Sequence, residues 1–387
     1  MEERKIGKQN MTKNLISREK KAKRQSTCTK LAMMVYFMAV GAFLGFMLSE
    51  IQEQWFENSE IRLVFSGALY VFLLAVFMIF WLLNICFHEL GHMIFGLMSG
   101  YEFQSIRFGN LIILKTEDGF KMGKNSLAGT AGQCLMKPPK GSVENYPTTL
   151  YNMGGCIVNG VLMLGMLLGG KSVAALICLM GAFIGLGVVL LNGIPISSLS
   201  NDGYNTLILC KSGKARKAFW YSLEINNALA KGIRYAEMPE EWFAWEKCVT
   251  ENNLETAQGI NYFSYLMMAK EYEKAKEIGQ YIMENAVAMA DIHSKMLKAD
   301  LLFCCIMLDS DKIREIYKKE EKNFKKLGGM LDMQRTNYAY ALLVEKDEKQ
   351  AQMYQEKFQA LAEKFPYPAE IEAEQELLHE VEEKYQK

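Results

Sequence analysis

The chain has 387 residues, half of them hydrophobic, with 44 acidic and 44 basic side chains. This length gives room for about two domains. Binding of nucleic acid by the basic residues 1–30 would need further support, which the sequence does not give. The nine cysteines follow no disulfide or C-x-x-C spacing, which is typical of reduced thiols and argues against a disulfide framework.

The average composition conceals a division between an apolar part and a charged part. Residues 31–99 and 150–195 are apolar, whereas residues 211–387 are rich in Lys, Glu and Gln. Residues 1–30 carry ten Lys and Arg against three Glu, as the cytoplasmic flank of a membrane helix does. We therefore predict a basic leader at 1–30, a membrane domain at 31–210 and a cytoplasmic helical domain at 211–387.

Four apolar segments are long enough to cross a bilayer core, which takes about 20 helical residues. They are residues 31–48, 63–98, 150–168 and 173–191. No clear signal-peptidase site follows the first segment, so we expect it to stay attached as an anchor. The second segment is too long for one crossing, so we expect its helix to protrude, to tilt or to be broken.

Loop charges predict the topology, because the cytoplasmic loops of membrane proteins carry an excess of Lys and Arg. The loop at 49–62 is acidic, whereas residues 100–149 and the segment after the fourth span carry clusters of Lys and Arg. We therefore expect a multi-pass protein of the cell membrane with both termini and residues 100–149 in the cytoplasm.

A strand-like insert, residues 101–125, separates the second and third spans. Alternating apolar residues and the turn signal Glu117-Asp118-Gly119 predict a small β-hairpin over 103–122. The hairpin either covers the helix ends or offers an edge to which an extended peptide adds as a strand. The stretch from Gly129 to Gly141, with two prolines, is predicted to be a loop.

The pattern from residue 212 onward is helical, and three segments within it look alike. Each has an apolar half, a charged turn and an amphipathic helix, with the turns about 38 residues apart. The turns are Lys270-Glu271, Asp309-Ser310-Asp311 and Lys346-Asp347. The pattern resembles a tetratricopeptide-like helix-turn-helix array, a class that binds peptides or protein partners. A plain helical bundle is the alternative. The predicted fold class is mostly α: a polytopic membrane bundle, a small hairpin region and a C-terminal helical-repeat domain.

The second apolar segment contains His88-Glu89-Leu90-Gly91-His92, an H-E-x-x-H pattern, after an uncharged run. Two histidines four positions apart lie on one face of a helix, where both can bind one Zn²⁺. A charged side chain at the bilayer centre costs about 2.5–3.5 kcal/mol on insertion scales, so such residues usually have a function. We therefore predict His88 and His92 as zinc ligands and Glu89 as the catalytic residue that acts on a zinc-bound water.

A catalytic zinc needs a third protein ligand as well as an open position for water. The other two histidines of the chain lie deep in the helical second half. Asp202 is the only carboxylate between Glu144 and Glu224, and the predicted topology places it on the same side of the membrane as the histidine pair. Elimination therefore selects Asp202, although Asn-Asp-Gly at this point is also an ordinary turn signal.

These residues resemble the motifs of the site-2 proteases, a family of intramembrane zinc metalloproteases. That family pairs H-E-x-x-H on one membrane helix with N-x-x-P and a following D-G on a later helix. The second motif is matched here by Asn192, Pro195, Asp202 and Gly203. A family G-x-x-x-N on the intervening helix is matched by Gly155 to Asn159, and the resemblance covers about residues 63–205.

The resemblance implies one Zn²⁺ per chain on His88, His92 and Asp202. The residues it implies as support for the active site are Asn159, Asn192, Pro195 and Gly203. Two positions depart from the family pattern: Cys156 stands where Pro is usual, and the spacing from Asn192 to Asp202 is longer. For Asn159, helix packing and an active-site hydrogen bond are both open, and Gly154 and Gly155 are expected to allow close helix packing.

We accordingly expect a zinc endopeptidase that hydrolyses peptide bonds of transmembrane or membrane-proximal substrates near the cytoplasmic face. Its partners would be a membrane-bound peptide or protein substrate, the lipid bilayer and a cytoplasmic protein at the helical domain. The first alternative is a membrane-anchored adaptor whose helical domain binds a partner and whose zinc site is structural or lost. The second is a zinc protease of another fold, open to the cytosol, with a Glu as third ligand.

Overall fold

The computed structural model describes residues 27, 30–54, 59–116, 119–124, 131–168, 173–197 and 199–387. Most of the predicted leader therefore lies outside the described residues. The chain divides into two compact units. The first, called here the apolar unit, comprises Met1–Ser99 and Pro147–Cys210, and the second, the polar unit, comprises Gly100–Tyr146 and Lys211–Lys387.

Within the described residues, the apolar unit has four helices that are long and apolar enough to cross a membrane. They are α1 (Lys30–Gln54), α2 (Ser59–Met98), α3 (Thr149–Met166) and α4 (Val173–Gly193). Helix α2 is continuous over 40 residues, about 60 Å at 1.5 Å per residue. Of the three predicted alternatives, a broken helix is therefore excluded, and protrusion or tilt of α2 remains. A shorter helix, α5 (Asp202–Lys211), follows α4.

The helices of the apolar unit bury one apolar face and leave another exposed. Met47 of α1, Leu73 of α2 and Ile184 of α4 are all fully buried in a shared core. On the outside of α2, by contrast, Phe72 and Leu82 each expose about half of their surface. Helices that are apolar on both sides suit surroundings of lipid rather than water.

Helices α2 and α3 approach closely where each carries a glycine. A Cβ added to Gly91 would lie 2.5 Å from the carbonyl oxygen of Gly154, and a Cβ on Gly154 would lie equally close to Gly91. Small residues of this kind let the backbones of membrane helices come together, as the sequence led us to expect for Gly154.

The polar unit contains a four-stranded antiparallel sheet with the strand order β3-β2-β1-β4. The strands are β1 (Glu102–Phe108), β2 (Leu111–Thr116), β3 (Gly119–Lys124) and β4 (Gly132–Lys137). Strands β2 and β3 form an antiparallel pair in the predicted hairpin, with Thr116 opposite Gly119. Glu117 and Asp118 of the predicted turn lie outside the described residues. The prediction of a loop from Gly129 to Gly141 is wrong over β4, which pairs with β1. The β4 sequence does not indicate a strand, because it lacks the β-branched and aromatic residues typical of strands.

The strand-like insert belongs to the polar unit and not to the predicted membrane domain. Ile112 and Leu114 of β2 share an apolar cluster with Ala230 and Tyr367 from the C-terminal region. The edge strand β3 is also joined to that region, because the backbone N–H of Lys124 donates to the carbonyl of Lys364 at 3.0 Å. These contacts are formed between distant parts of the chain, so sequence proximity to the membrane spans did not reveal them.

The rest of the polar unit is helical. Its helices are α6 (Gly213–Ala230), α7 (Asn253–Met268), α8 (Tyr272–Asn285), α9 (Asp291–Met307), α10 (Ile313–Lys326), α11 (Leu331–Ala339), α12 (Glu348–Ala362) and α13 (Pro368–Gln386). A π-helical segment, Tyr340–Glu345, continues α11.

Each of the three predicted turns lies between two consecutive helical segments. The turns fall between α7 and α8, between α9 and α10, and between the π-helical segment and α12. Each contains a residue with positive φ, namely Lys270, Asp309 and Lys346, and a left-handed residue is a common way to end a helix. The assignment of these pairs to a tetratricopeptide-like array stays a prediction.

Candidate metal centre

The two histidines of the H-E-x-x-H pattern lie on one face of α2. Their Nε2 atoms are 3.2 Å apart. Both side chains are buried, with His88 7% exposed and His92 8% exposed. Glu89, between them in sequence, is equally buried. Helical periodicity therefore places the imidazoles together, as the spacing predicts.

Asp202, the first residue of α5, faces this pair. Its Oδ2 atom lies 3.0 Å from Nε2 of His88 and 3.5 Å from Nε2 of His92. Burial alone would raise the pKa of the Asp202 carboxyl, but the adjacent imidazoles lower the pKa below its usual range. The structure thus brings together the three side chains that the sequence selected as ligands.

The spacing of these three atoms suits a small cation. Nitrogen and oxygen ligands at about 2.0–2.2 Å from a tetrahedral Zn²⁺ are about 3.3–3.5 Å from one another. The three separations here run from 3.0 to 3.5 Å. Two imidazoles and one carboxylate are also a donor set that Zn²⁺ accepts, so the residues present fit zinc.

A backbone carbonyl fixes the orientation of the His92 ring. The Nδ1 atom of His92 lies 2.8 Å from the carbonyl oxygen of Tyr151 on α3. Because a carbonyl can only accept, the Nδ1–H of His92 must donate, so Nε2, which faces Asp202, is the nitrogen that a metal would bind. Such an outer hydrogen bond orients an imidazole and raises its basicity toward a metal.

Two asparagines, Asn84 and Asn159, form a hydrogen-bonded relay that orients the ring of His88. The side chain of Asn159 on α3 donates to the backbone carbonyl and the side-chain oxygen of Asn84, at 3.0 and 2.8 Å. Its own Oδ1 is therefore free to accept from the Nδ1–H of His88, 3.0 Å away. Asn159 is fully buried, and it both joins α3 to α2 and orients a histidine. Asn84 was not singled out in the sequence, although a polar residue four positions before His88 in an apolar run was a usable signal.

Asn201 holds Asp202 in place. Its Oδ1 accepts from the backbone N–H of Ile196 and of Tyr204, both at 3.1 Å, and its Nδ2 donates to the carbonyls of Leu191 and Ile194, both at 2.6 Å. The bond to Tyr204 makes Asn201 the N-cap of α5. The long connection after α4 therefore ends in an anchored position, and the extra residues before Asp202 do not displace its carboxylate from the histidines.

Gly203 has a packing role beside Asp202. A side chain at this position would overlap the carbonyl group of Gly193, at the end of α4. Only glycine therefore lets the start of α5 lie against the end of α4. Asn192 donates to the carbonyl of Val188 at 3.0 Å within α4, and Pro195 is exposed in the turn that follows. Among the described hydrogen bonds, neither joins the histidine pair.

Cys156 is a further ligand candidate. In the sequence it stands out only as a departure from the pattern of the site-2 proteases. It is buried on α3, and its Sγ lies 3.9 Å from Oδ2 of Asp202. The ligand atoms of His88, Cys156 and Asp202 all lie within 4.8 Å of one another. Its position in sequence, three residues before Asn159, places it one helical turn away on the same side of α3.

Comparisons with known proteins add no family assignment. Family models, curated proteins and solved structures were each searched with this chain, and none of the three searches returned a match.

Proposed function

We propose that this chain is a zinc-dependent intramembrane endopeptidase, as the motifs shared with the site-2 proteases imply. The observation that carries the proposal is the convergence of His88 Nε2, His92 Nε2 and Asp202 Oδ2 within 3.5 Å of one another. Two of these residues lie on a helix that is apolar enough to cross a membrane. Three ligands leave one tetrahedral position for water, which is the arrangement of catalytic rather than structural zinc.

Bound zinc would polarise the scissile carbonyl and lower the pKa of its water to about 7. Glu89 takes a proton from the attacking water and delivers it to the nitrogen of the leaving amine. The Tyr151 carbonyl and Asn159 hold the two imidazoles by their Nδ1 atoms throughout, so the ligands need no rearrangement during turnover.

The proposed substrates are peptide bonds in transmembrane or membrane-proximal segments. A helical peptide bond is shielded by its own hydrogen bonds, so a substrate helix must unwind locally before attack. The excess of Lys and Arg after the fourth span supports a cytoplasmic position for this end of the helices. The paired helices of the polar unit are proposed to bind a cytoplasmic protein partner.

The test uses the full-length protein in detergent, with a single-span model protein carrying a fluorophore as the probe. Glu89→Gln should keep its zinc, measured by mass spectrometry of the metal, and lose about 10²–10⁴-fold in cleavage rate. The matched control is Glu53→Gln, at an exposed position of α1, which should cleave like the parent. Equal cleavage by Glu89→Gln and the parent would overturn the proposal. Stoichiometric zinc without cleavage in both the parent and Cys156→Ala would favour a structural site.

A further inference from the structure

Helix α3 directs three successive features at the histidine pair. The carbonyl of Tyr151 contacts His92, the backbone of Gly155 lies against the ring of His88, and Asn159 bonds to His88. A Cβ on Gly155 would lie 2.5 Å from Cε1 of that ring. Cys156 is placed within this same surface of α3, so its thiol is held at the site by the elements that orient the ligands.

The thiol of Cys156 lies close to ligand distance. A sulfur ligand sits about 2.3 Å from Zn²⁺, which puts it about 3.6 Å from a neighbouring oxygen or nitrogen ligand of a tetrahedral centre. The observed distance from Cys156 Sγ to Asp202 Oδ2 is 3.9 Å. The same Sγ atom lies within 4.8 Å of a ligand atom of His88, so a movement of the Cys156 side chain toward the histidines would bring the thiol to ligand distance. The side chain is only 5% exposed, so bulk water competes poorly for the same position.

We propose that Cys156 is an exchangeable fourth ligand of the metal, which closes the position that catalysis needs. This inference rests on the proposed function. Coordination breaks the S–H bond, forms a bond from Sγ to the metal and releases one proton to solvent. Four protein ligands make a closed site, of the structural type, and three make an open one. The centre therefore has a latent state with Cys156 bound and an active state with water in its place.

A thiolate ligand has a spectroscopic signature that does not depend on activity. The full-length protein is loaded with Co²⁺ in place of zinc, and its absorption spectrum is recorded. The parent should show visible d–d bands of tetrahedral cobalt and a near-ultraviolet thiolate-to-cobalt charge-transfer band. Cys156→Ala should lose the charge-transfer band, keep the d–d bands and cleave the model substrate faster than the parent. The matched control is Cys178→Ala, on α4, which should retain both features.

The outcomes separate this inference from the proposed function. Parent protein with d–d bands but no charge-transfer band would overturn the role of Cys156 and leave the three-ligand site intact. Parent protein that binds no cobalt would overturn the metal site itself. If Cys156→Ala does not fold, alkylation of the parent by a maleimide gives the answer, with mass spectrometry to locate the label. Zinc should protect Cys156, and equal labelling with and without zinc would contradict the proposal.

Discussion

The carboxylate of Asp202 lies 3.0 Å from the imidazole of His88, although one begins the fifth helix and the other is near the end of the second. A single carboxylate oxygen is within 3.5 Å of both histidine Nε2 atoms. This contact joins two distant parts of the chain. Hydrogen bonds from Tyr151 and Asn159 orient the two imidazoles toward the shared position, and those of Asn201 hold the start of α5, where Asp202 lies.

The first prediction concerns Asp202 as third ligand. In the Cys156→Ala background, Asp202→Ala should reduce bound zinc from about one per chain to nearly none, because two histidines alone leave the coordination incomplete. Metal content after purification and dialysis measures this. Asp291→Ala, at an exposed carboxylate of the polar unit, is the control and should bind zinc normally. Full zinc content in Asp202→Ala would instead favour a protease of another fold with a different third ligand.

The second prediction concerns the contact between Gly155 and His88. Gly155→Ala should displace the His88 ring, because the new Cβ would lie 2.5 Å from it. Zinc affinity should fall while the protein still inserts and folds. Gly160→Ala, on the same helix, meets nothing within 4 Å and should bind zinc like the parent. Isothermal titration with zinc compares the two variants, and identical affinities would contradict this account of Gly155.

The third prediction concerns the relay from Asn84 through Asn159 to His88. Asn159→Ala removes the acceptor for the His88 Nδ1–H, and loss of such an outer partner typically weakens metal binding by about 10–100-fold. Asn192→Ala removes a bond within α4 and should leave affinity unchanged. Competition with a chelator measures both. A larger loss for Asn192 than for Asn159 would show that the family-derived role of Asn192 outweighs the observed contacts.

The fourth prediction concerns Asn201 and separates its role as the N-cap of α5 from its role in positioning Asp202. Asn201→Ala should cost about 0.5–2 kcal/mol through loss of the N-cap of α5, and it should also lower zinc affinity because Asp202 loses its anchor. Ser212→Ala removes the N-cap of α6, where the Ser212 side chain accepts from the N–H of Ala215. This control should lose similar stability and keep its zinc affinity. Thermal unfolding and zinc titration are measured on both, and parallel losses would contradict a positioning role.

A buried charge cluster in the polar unit predicts a dependence of stability on pH. The guanidinium of Arg335 is fully buried and pairs with Asp300 and, at 3.3 Å, with Glu374. Asp332 and Glu370 face the same group of side chains. Burial raises the pKa of Glu374 to about 8, and Arg335 only partly offsets this effect.

The folded chain therefore binds more protons than the unfolded chain, in which a Glu titrates at about pH 4.3. The contribution of Glu374 to the free energy of unfolding is complete below that pH and is lost as the pH rises through about 8. The free energy of unfolding falls by no more than about 1.4 kcal/mol per pH unit for this one group. Unfolding of the full-length protein from pH 5 to 8.5 should show this decline. Glu374→Gln should make the decline shallower, whereas Glu356→Gln, at an exposed position, should not. The decline that remains comes from Asp332 and Glu370, because burial raises both pKa values to about 7. A stability that increases over this range would refute the assignment.

Features that depend on neighbours in sequence were determined by the sequence itself. The helical period places His88 and His92 on one face, apolar runs produce the four long helices, and charged turns at Lys270, Asp309 and Lys346 end three helices. These are local rules, because side-chain spacing along a helix follows from backbone geometry alone.

Only the tertiary structure decided which distant groups meet. Asp202 was selected by elimination, yet its distance from the histidines depends on the anchor of Asn201 and on the close approach that Gly203 allows. The Asn84 contact and the position of Cys156 likewise arise where α2, α3 and α5 pack together. The pairing of β4 and the grouping of the sheet with the C-terminal helices are also long-range contacts. Spacing in the sequence determines the directions of side chains within one helix or strand. Distances between side chains of different elements are determined by the packing of the whole unit.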